Sequence, residues 1–391
     1  MRRILFLLVF LTSGVALIYF YKTDLKFKSN IDNWLGVAKY DSLNNVANVD
    51  TLTQKNQIAK KQRTRERIPK KVRPGVFDKL DEYARNAPDK YSHNIKGLAD
   101  YLAIPAKNDL EKTRLAFTWI ATHVQYDAEA YNTGNYKDEF SADSVLMRRA
   151  GVCEGYSTLF LELAKIMELE VVKISGYAKG YGLDINKKFD ETNHAWNAVK
   201  INDKWQLVDV TWGSGYGYTK NDKLESVMEF DPYWFCVKPQ EFIFSHLPES
   251  KEWQLIQRTI SLTQFEELPY VEKSFFELGF DGEEVLKMAM TAGDEEFAKT
   301  FSVGFPIKQV ELPLTRTIER GANFSFVLQS DYVEEMAVID GGQWTYFKKV
   351  EGGFSITHIP TSDKLEIAVK INWFDVGYTT IVEYKIDGPK I

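Results

Sequence analysis

The stretch Gly151-Val152-Cys153-Glu154-Gly155-Tyr156-Ser157 decides the reading of this chain. A glycine precedes a cysteine, and apolar residues follow at Tyr156, Leu159, Phe160, Leu163, Ala164 and Met167. That is helical spacing with one face for a core, so Cys153 sits in or just before the first helical turn. The first N–H groups of a helix lack intrahelical partners, and the helix dipole favours an anion there. A thiolate is such an anion, and helix N-termini lower cysteine pKa values.

A cysteine nucleophile needs a base, and the base needs an orienting group. Downstream, Asn193-His194-Ala195-Trp196-Asn197-Ala198-Val199 reads as a strand, and Trp205-Gln206-Leu207-Val208-Asp209-Val210-Thr211 reads as its return. Ile201-Asn202-Asp203-Lys204 between them reads as a tight turn. With Asn202 and Asp203 as a two-residue loop, Ile201 pairs with Lys204, Trp196 with Asp209 and His194 with Thr211. His194 and Asp209 then become diagonal neighbours on one face, roughly 7–8 Å apart at the backbone and within side-chain reach. A three-residue loop would put them on opposite faces.

The order Cys, His, Asp, carried by 151–157, Asn-His-Ala-Trp-Asn at 193–197 and Val-Asp-Val-Thr-Trp at 208–212, resembles the transglutaminase-like superfamily. Two flanking stretches resemble the branch that contains the kyphoscoliosis peptidase: Phe117-Thr118-Trp119-Ile120 with Tyr126-Asp127, and Phe242-Ile243-Phe244-Ser245-His246-Leu247-Pro248 with Trp253-Gln254-Leu255. The resemblance covers about residues 112–256. It implies an α+β, papain-like core with a helix-borne cysteine on an antiparallel sheet, and a Cys153–His194–Asp209 triad. It is less specific for the reaction, because the superfamily holds transglutaminases, peptidases, deglycosylating amidases and inactive members.

Outward from this core the chain changes character. Ile4 to Tyr21 runs eighteen residues without a charge, preceded by Arg2 and Arg3. It reads as a non-cleaved signal anchor or a cleaved signal peptide, and either one exports the rest. Residues 22–74 read as a polar linker, with nine basic residues and one acid from Lys55 to Arg73 that suit an anionic surface. Residues 75–256 hold the transglutaminase-like domain. Helices are expected at Val76–Ala87, Asn94–Ala103 and Leu110–Val124, the last capped by Asp109. The Gly/Tyr run Gly213–Tyr218 reads as a mobile turn or as a lid beside the site. Residues 257–308 read as a connecting segment. Residues 309–391 alternate as short strands at Val310–Leu314, Phe324–Leu328, Met336–Ile339, Thr345–Val350, Phe354–Ile359, Leu365–Ile371 and Thr379–Ile386, which suggests an immunoglobulin-like β-sandwich.

A net charge of −6 gives no reason to expect nucleic acid as a partner. Two cysteines make no disulfide framework, and pairing Cys153 with Cys236 would cap the nucleophile; Cys236 reads as a buried core thiol. Five scattered histidines show no metal-ligand spacing, and no cofactor is called for. His246 and His358 read as packed or structural, and Trp119 and Trp196 as core or as walls of the site. The expected partners are a protein or peptide substrate, an amine acyl acceptor if transamidation occurs, and a membrane through the N-terminal segment. The competing expectation is a cell-envelope binding or scaffold protein that keeps the fold without turnover.

Overall fold

The computed structural model describes residues 75–136, 140–181, 188–292, 296–371 and 377–389, all within one compact unit, Val72–Ile391. The apolar run at 4–21 and the basic linker at 22–74 lie outside the described residues. Among the described residues no helix is long and apolar enough to cross a membrane.

The first core is α+β, as the sequence implies. A five-stranded antiparallel sheet runs in the order Phe235–Val237, Lys204–Val208, His194–Ile201, Val171–Ala178, His246–Pro248. Helix Cys153–Ile166 lies on its two central strands and buries Tyr156, Leu159, Phe160, Leu163 and Ala164. A Cβ at Gly155 would stand 2.7 Å from Val145 Cγ2, so the second glycine of the opening stretch lets helix Ala142–Arg148 press against the start of the cysteine helix. Helix Asp109–His123 is capped one residue earlier than expected, by Asn108, whose side chain accepts from the Glu111 N–H at 3.0 Å. Its Arg114 is buried and makes a bidentate pair with Asp81 of helix Asp78–Arg85, with both N···O distances 2.8 Å. Thr118 adds a third bond to the same carboxylate at 2.7 Å, and Phe77, Phe117, Phe230 and Phe235 surround the guanidinium. A buried pair is tolerable when its remaining donors and acceptors are met in this way.

The expected hairpin forms about Asn202 and Asp203, both at positive φ (49° and 59°), with Ile201 opposite Lys204. This is the two-residue turn whose twist suits a hairpin. The return strand ends earlier than expected, at Val208. Asp209 turns its side chain to cap the short helix Val210–Gly213, so Thr211 is helical and does not pair with His194. The Gly/Tyr run is no open loop either. Gly215–Lys220 and Lys223–Met228 form a second hairpin around Asn221 and Asp222, again both at positive φ. It is tied to Asn132 by two side-chain bonds to the Leu224 backbone.

The second core is a β-sandwich. One sheet holds Lys299–Thr300, Thr379–Asp387, Lys364–Lys370, Glu335–Asp340 and Gln343–Tyr346, with Thr317–Glu319 parallel to Thr379–Asp387. The other holds Lys308–Glu311, Phe324–Gln329, Gly353–His358 and Lys348–Val350. The run expected as one strand, Thr345–Val350, breaks at buried Phe347, whose N–H bonds Met336 O; the chain changes sheet there. His358 serves this core, with Nε2 3.1 Å from Asp340 Oδ2.

Residues 257–308 are more than a connector. They form helices Leu262–Glu267, Lys273–Glu277 and Gly282–Ala292, and bury Phe265, Phe275, Phe276 and Phe280 in the same core as the sandwich. Phe275→Ala should therefore cost about 3–5 kcal/mol, measured by urea unfolding of the sandwich. A loss within about 0.5 kcal/mol, the usual surface value, would return the segment to the status of a linker.

Candidate active site

Cys153 is the first residue of its helix and is half-buried. Its neighbour Glu154 is ion-paired with Lys173 of the adjoining strand, which turns that carboxylate away to a partner of its own. Cys153 lies close enough to the His194 ring to act on it and help hold it protonated. His194 opens its strand, and its Nε2 lies 2.7 Å from Asp209 Oδ2. With Nε2 committed to the carboxylate, Nδ1 is the nitrogen left for the sulfur. The three residues that the sequence singles out therefore meet in the order thiol, imidazole, carboxylate.

Asp209 is fully buried and has three donors. The Trp212 N–H bonds Oδ1 at 3.0 Å, while His194 and His246 share Oδ2 at 2.7 and 3.0 Å. Burial works against its charge. The His194 cation and hydrogen bond, then the His246 bond, outweigh burial and carry the carboxyl well below the usual carboxylate range. Burial likewise opposes a charge on His194. The Asp209 charge and hydrogen bond, then the Cys153 thiol, overcome it and raise the ring to about 10. His246 goes the other way, lowered to about 4 chiefly by burial. The site thus holds one cationic and one neutral imidazole on one carboxylate.

Aromatic rings enclose these groups. Trp212 and Trp196 lie 5.7 and 6.0 Å from the His194 ring, centroid to centroid. Trp196 is both core and wall, whereas Trp119 is core, stacked on His123 with Arg149 over its face. Between the outer strand and His194 runs Gly176, opposite His194 on one side and Pro248 on the other. A Cβ there would stand 2.5 Å from the Trp196 ring and 2.3 Å from Leu247 O, so only glycine admits this closeness. Tyr126 and Tyr131 stand together, ring centroids 6.3 Å apart, and burial pushes both phenols up.

The sequence reading did not foresee that His246 touches Asp209, nor that Trp212 donates to it. Two signals were present. A histidine inside an apolar run must find a buried partner, and an aspartate three residues before a tryptophan fits an N-cap. His194, Asp209 and His246 also bring their ligand atoms within 4.8 Å of one another. At 2.7 and 3.0 Å those atoms stand at hydrogen-bond distance and are spent on each other. Cys236 stands apart, at a φ of 56°, with its thiol pushed up to about 12 mainly by burial.

The pH dependence follows from the signs. A raised His194 contributes stability that is full below its ordinary value of about 6.5 and is lost as pH climbs toward its folded value. A depressed Asp209 contributes stability that is present above about 4 and lost on acidification. The melting temperature should fall between about pH 7 and about pH 10 in the parent, and that slope should flatten in His194→Gln. Equal slopes in both proteins would mean that His194 carries no charge in the fold. In Asp209→Asn, imidazole NMR should find the His194 ring losing its proton at a lower pH than in the parent, because the largest group opposing burial is gone and only Cys153 still opposes it; an unchanged titration would remove Asp209 as the main cause.

The family described as the transglutaminase-like superfamily matches residues 96–210. The mouse kyphoscoliosis peptidase is 35% identical over 205 residues, 52% of this chain and 30% of that protein. The human kyphoscoliosis peptidase is 34% identical over 204 residues, with the same shares. Hillarin of Drosophila melanogaster is 29% identical over 248 residues, 60% of this chain and 29% of that protein. The chain spans under a third of the length of these relatives. Residues 96–210 therefore make a domain that matches the transglutaminase-like superfamily.

Proposed function

We propose that this protein is an exported, membrane-tethered cysteine acyltransferase or peptidase that acts on protein or peptide amides. One observation carries the chemistry: a helix-start cysteine beside a histidine whose ring is hydrogen-bonded to a buried aspartate. Export and tethering rest on the apolar run at 4–21 and the basic segment behind it.

The mechanism follows from the parts. Cys153 acts as the thiolate of a thiolate–imidazolium pair with the protonated His194, whose cation Asp209 stabilises. The sulfur attacks the carbonyl carbon of a glutamine side chain or a peptide bond, and a C–S bond forms. The C–N bond then breaks as His194 returns its proton to the leaving nitrogen. A thioester remains. Water resolves it to a carboxylate, and an amine resolves it to a new amide, with His194 accepting the proton of either nucleophile. The first-turn N–H of Cys153 is the natural donor to the oxyanion.

The test is alkylation and turnover of the full chain. At pH 6, iodoacetamide should modify Cys153 at least about tenfold faster than it does in His194→Ala, because the thiolate, not the thiol, reacts. Cys236 in the same molecule serves as the slow reference. Peptide amides should release amine or ammonia, or couple to an added lysine amine, with the parent and not with Cys153→Ala. A parent no faster than His194→Ala would sink the enzyme reading and leave a surface scaffold with this fold.

A further inference from the structure

The triad accounts for three of the groups at this site and leaves one unused. His246 is fully buried, and its Nε2 stands 3.0 Å from the same Asp209 oxygen that binds His194. Its Nδ1 lies 2.8 Å from Ser245 Oγ. The ring is stacked on Phe242 at 4.0 Å, with Trp212 at 4.3 Å, Trp196 at 5.2 Å and Trp234 at 5.5 Å. The titratable groups acting on it are Asp209 and His194, the latter ring 5.3 Å away. This surrounding favours an uncharged ring. An uncharged ring that donates to Asp209 carries its proton on Nε2, and Nδ1 then accepts from the Ser245 hydroxyl, which is nearer to it (2.8 Å) than to its other acceptor, Phe242 O (3.3 Å).

On the reading of the site given above, we propose that His246 is a positioning residue for the triad: its neutral ring, held as the Nε2–H tautomer, keeps the Asp209 carboxylate charged and turned onto His194. The need is physical. A carboxylate withdrawn from water stays ionised only with enough donors, and a protonated Asp209 could not stabilise the His194 imidazolium. Of its three donors, the Trp212 N–H satisfies Oδ1, so among the described residues His246 is the only support that Oδ2 has besides the base itself. Neutrality matters as much as the bond. A second cation on this carboxylate would compete with His194 for its charge, whereas a neutral donor adds support without that competition.

The experiment compares His246→Phe and His246→Gln in the full chain. Phenylalanine keeps the stack on Phe242 and loses the donor; glutamine keeps an N–H and loses the ring. Positioning predicts that His246→Phe slows Cys153 alkylation at pH 6 by about 10–100-fold, while His246→Gln stays within about threefold of the parent. Packing alone predicts the reverse order, with glutamine the more damaged in rate and in melting temperature, and that result would overturn the proposal. A second measurement needs no variant. With the five histidines ¹⁵N-labelled, His246 should show the neutral Nε2–H pattern without titrating from about pH 5 to about pH 8.5. A proton on Nδ1, or a titration in that range, overturns the proposal even if His246→Phe fails to fold. A parent that alkylates no faster than His194→Ala defeats the enzyme reading instead. The ¹⁵N spectra of His246, and of His194 with and without His246, still decide the positioning role.

Discussion

The fully buried carboxylate of Asp209 is the constraint around which the first core is arranged. An ionised carboxylate without water costs several kcal/mol unless donors replace the water. Here the donors come from three separate elements: the first strand of the hairpin, the short helix that Asp209 itself caps, and the outer strand of the sheet. The return strand has to stop at Val208 for this to happen, since a continued ladder would carry Thr211 past His194 and leave no helix N-terminus at Asp209. The end of the strand and the charge of the site are therefore one event.

That arrangement ties the site to the rest of the molecule through the segment Phe242–Pro248. Phe242 packs into the first core, and His246 stacks on it. Ile243, Phe244 and Leu247 belong to the second core, with Phe265, Phe275 and the inner faces of the sandwich. Alternate sides of one short stretch are thus held by two cores. Burying a large apolar side chain contributes about 1.5–3 kcal/mol, so three of them anchor the backbone on which the Asp209 donor sits. The sandwich carries none of the reacting groups, yet it helps to fix one of the bonds on which they depend.

Much of the site was legible in local chemistry. Helical spacing after Cys153 placed the thiol at a helix start, and the Asn202-Asp203 pair fixed the hairpin register that sets His194 near Asp209. The same signal at Asn221-Asp222 marks the second hairpin, where the Gly/Tyr run next to it read instead as a mobile turn or a lid. Alternation revealed the sandwich strands, but only pairing could split Thr345–Val350 at Phe347, because both halves keep a strand pattern and differ only in which sheet accepts their backbone groups. Residues 257–308 were harder to read, since two of their three helices have only five or six residues, too short for a period to show.

The sequence by itself determined the order of the reactive groups, the helix start beneath the thiol and the turn between the two strands, and it carried the resemblance to the transglutaminase-like superfamily. The helix start and the turn rest on residues within a turn or a hairpin of each other, where spacing translates directly into geometry. The tertiary structure decided the rest: that His246 closes on Asp209, that Gly176 makes room for it, and that the 257–308 helices join the sandwich. These contacts join residues tens of positions apart, and their partners are chosen by the packing of whole elements and by the need to satisfy a buried charge, neither of which any local pattern records.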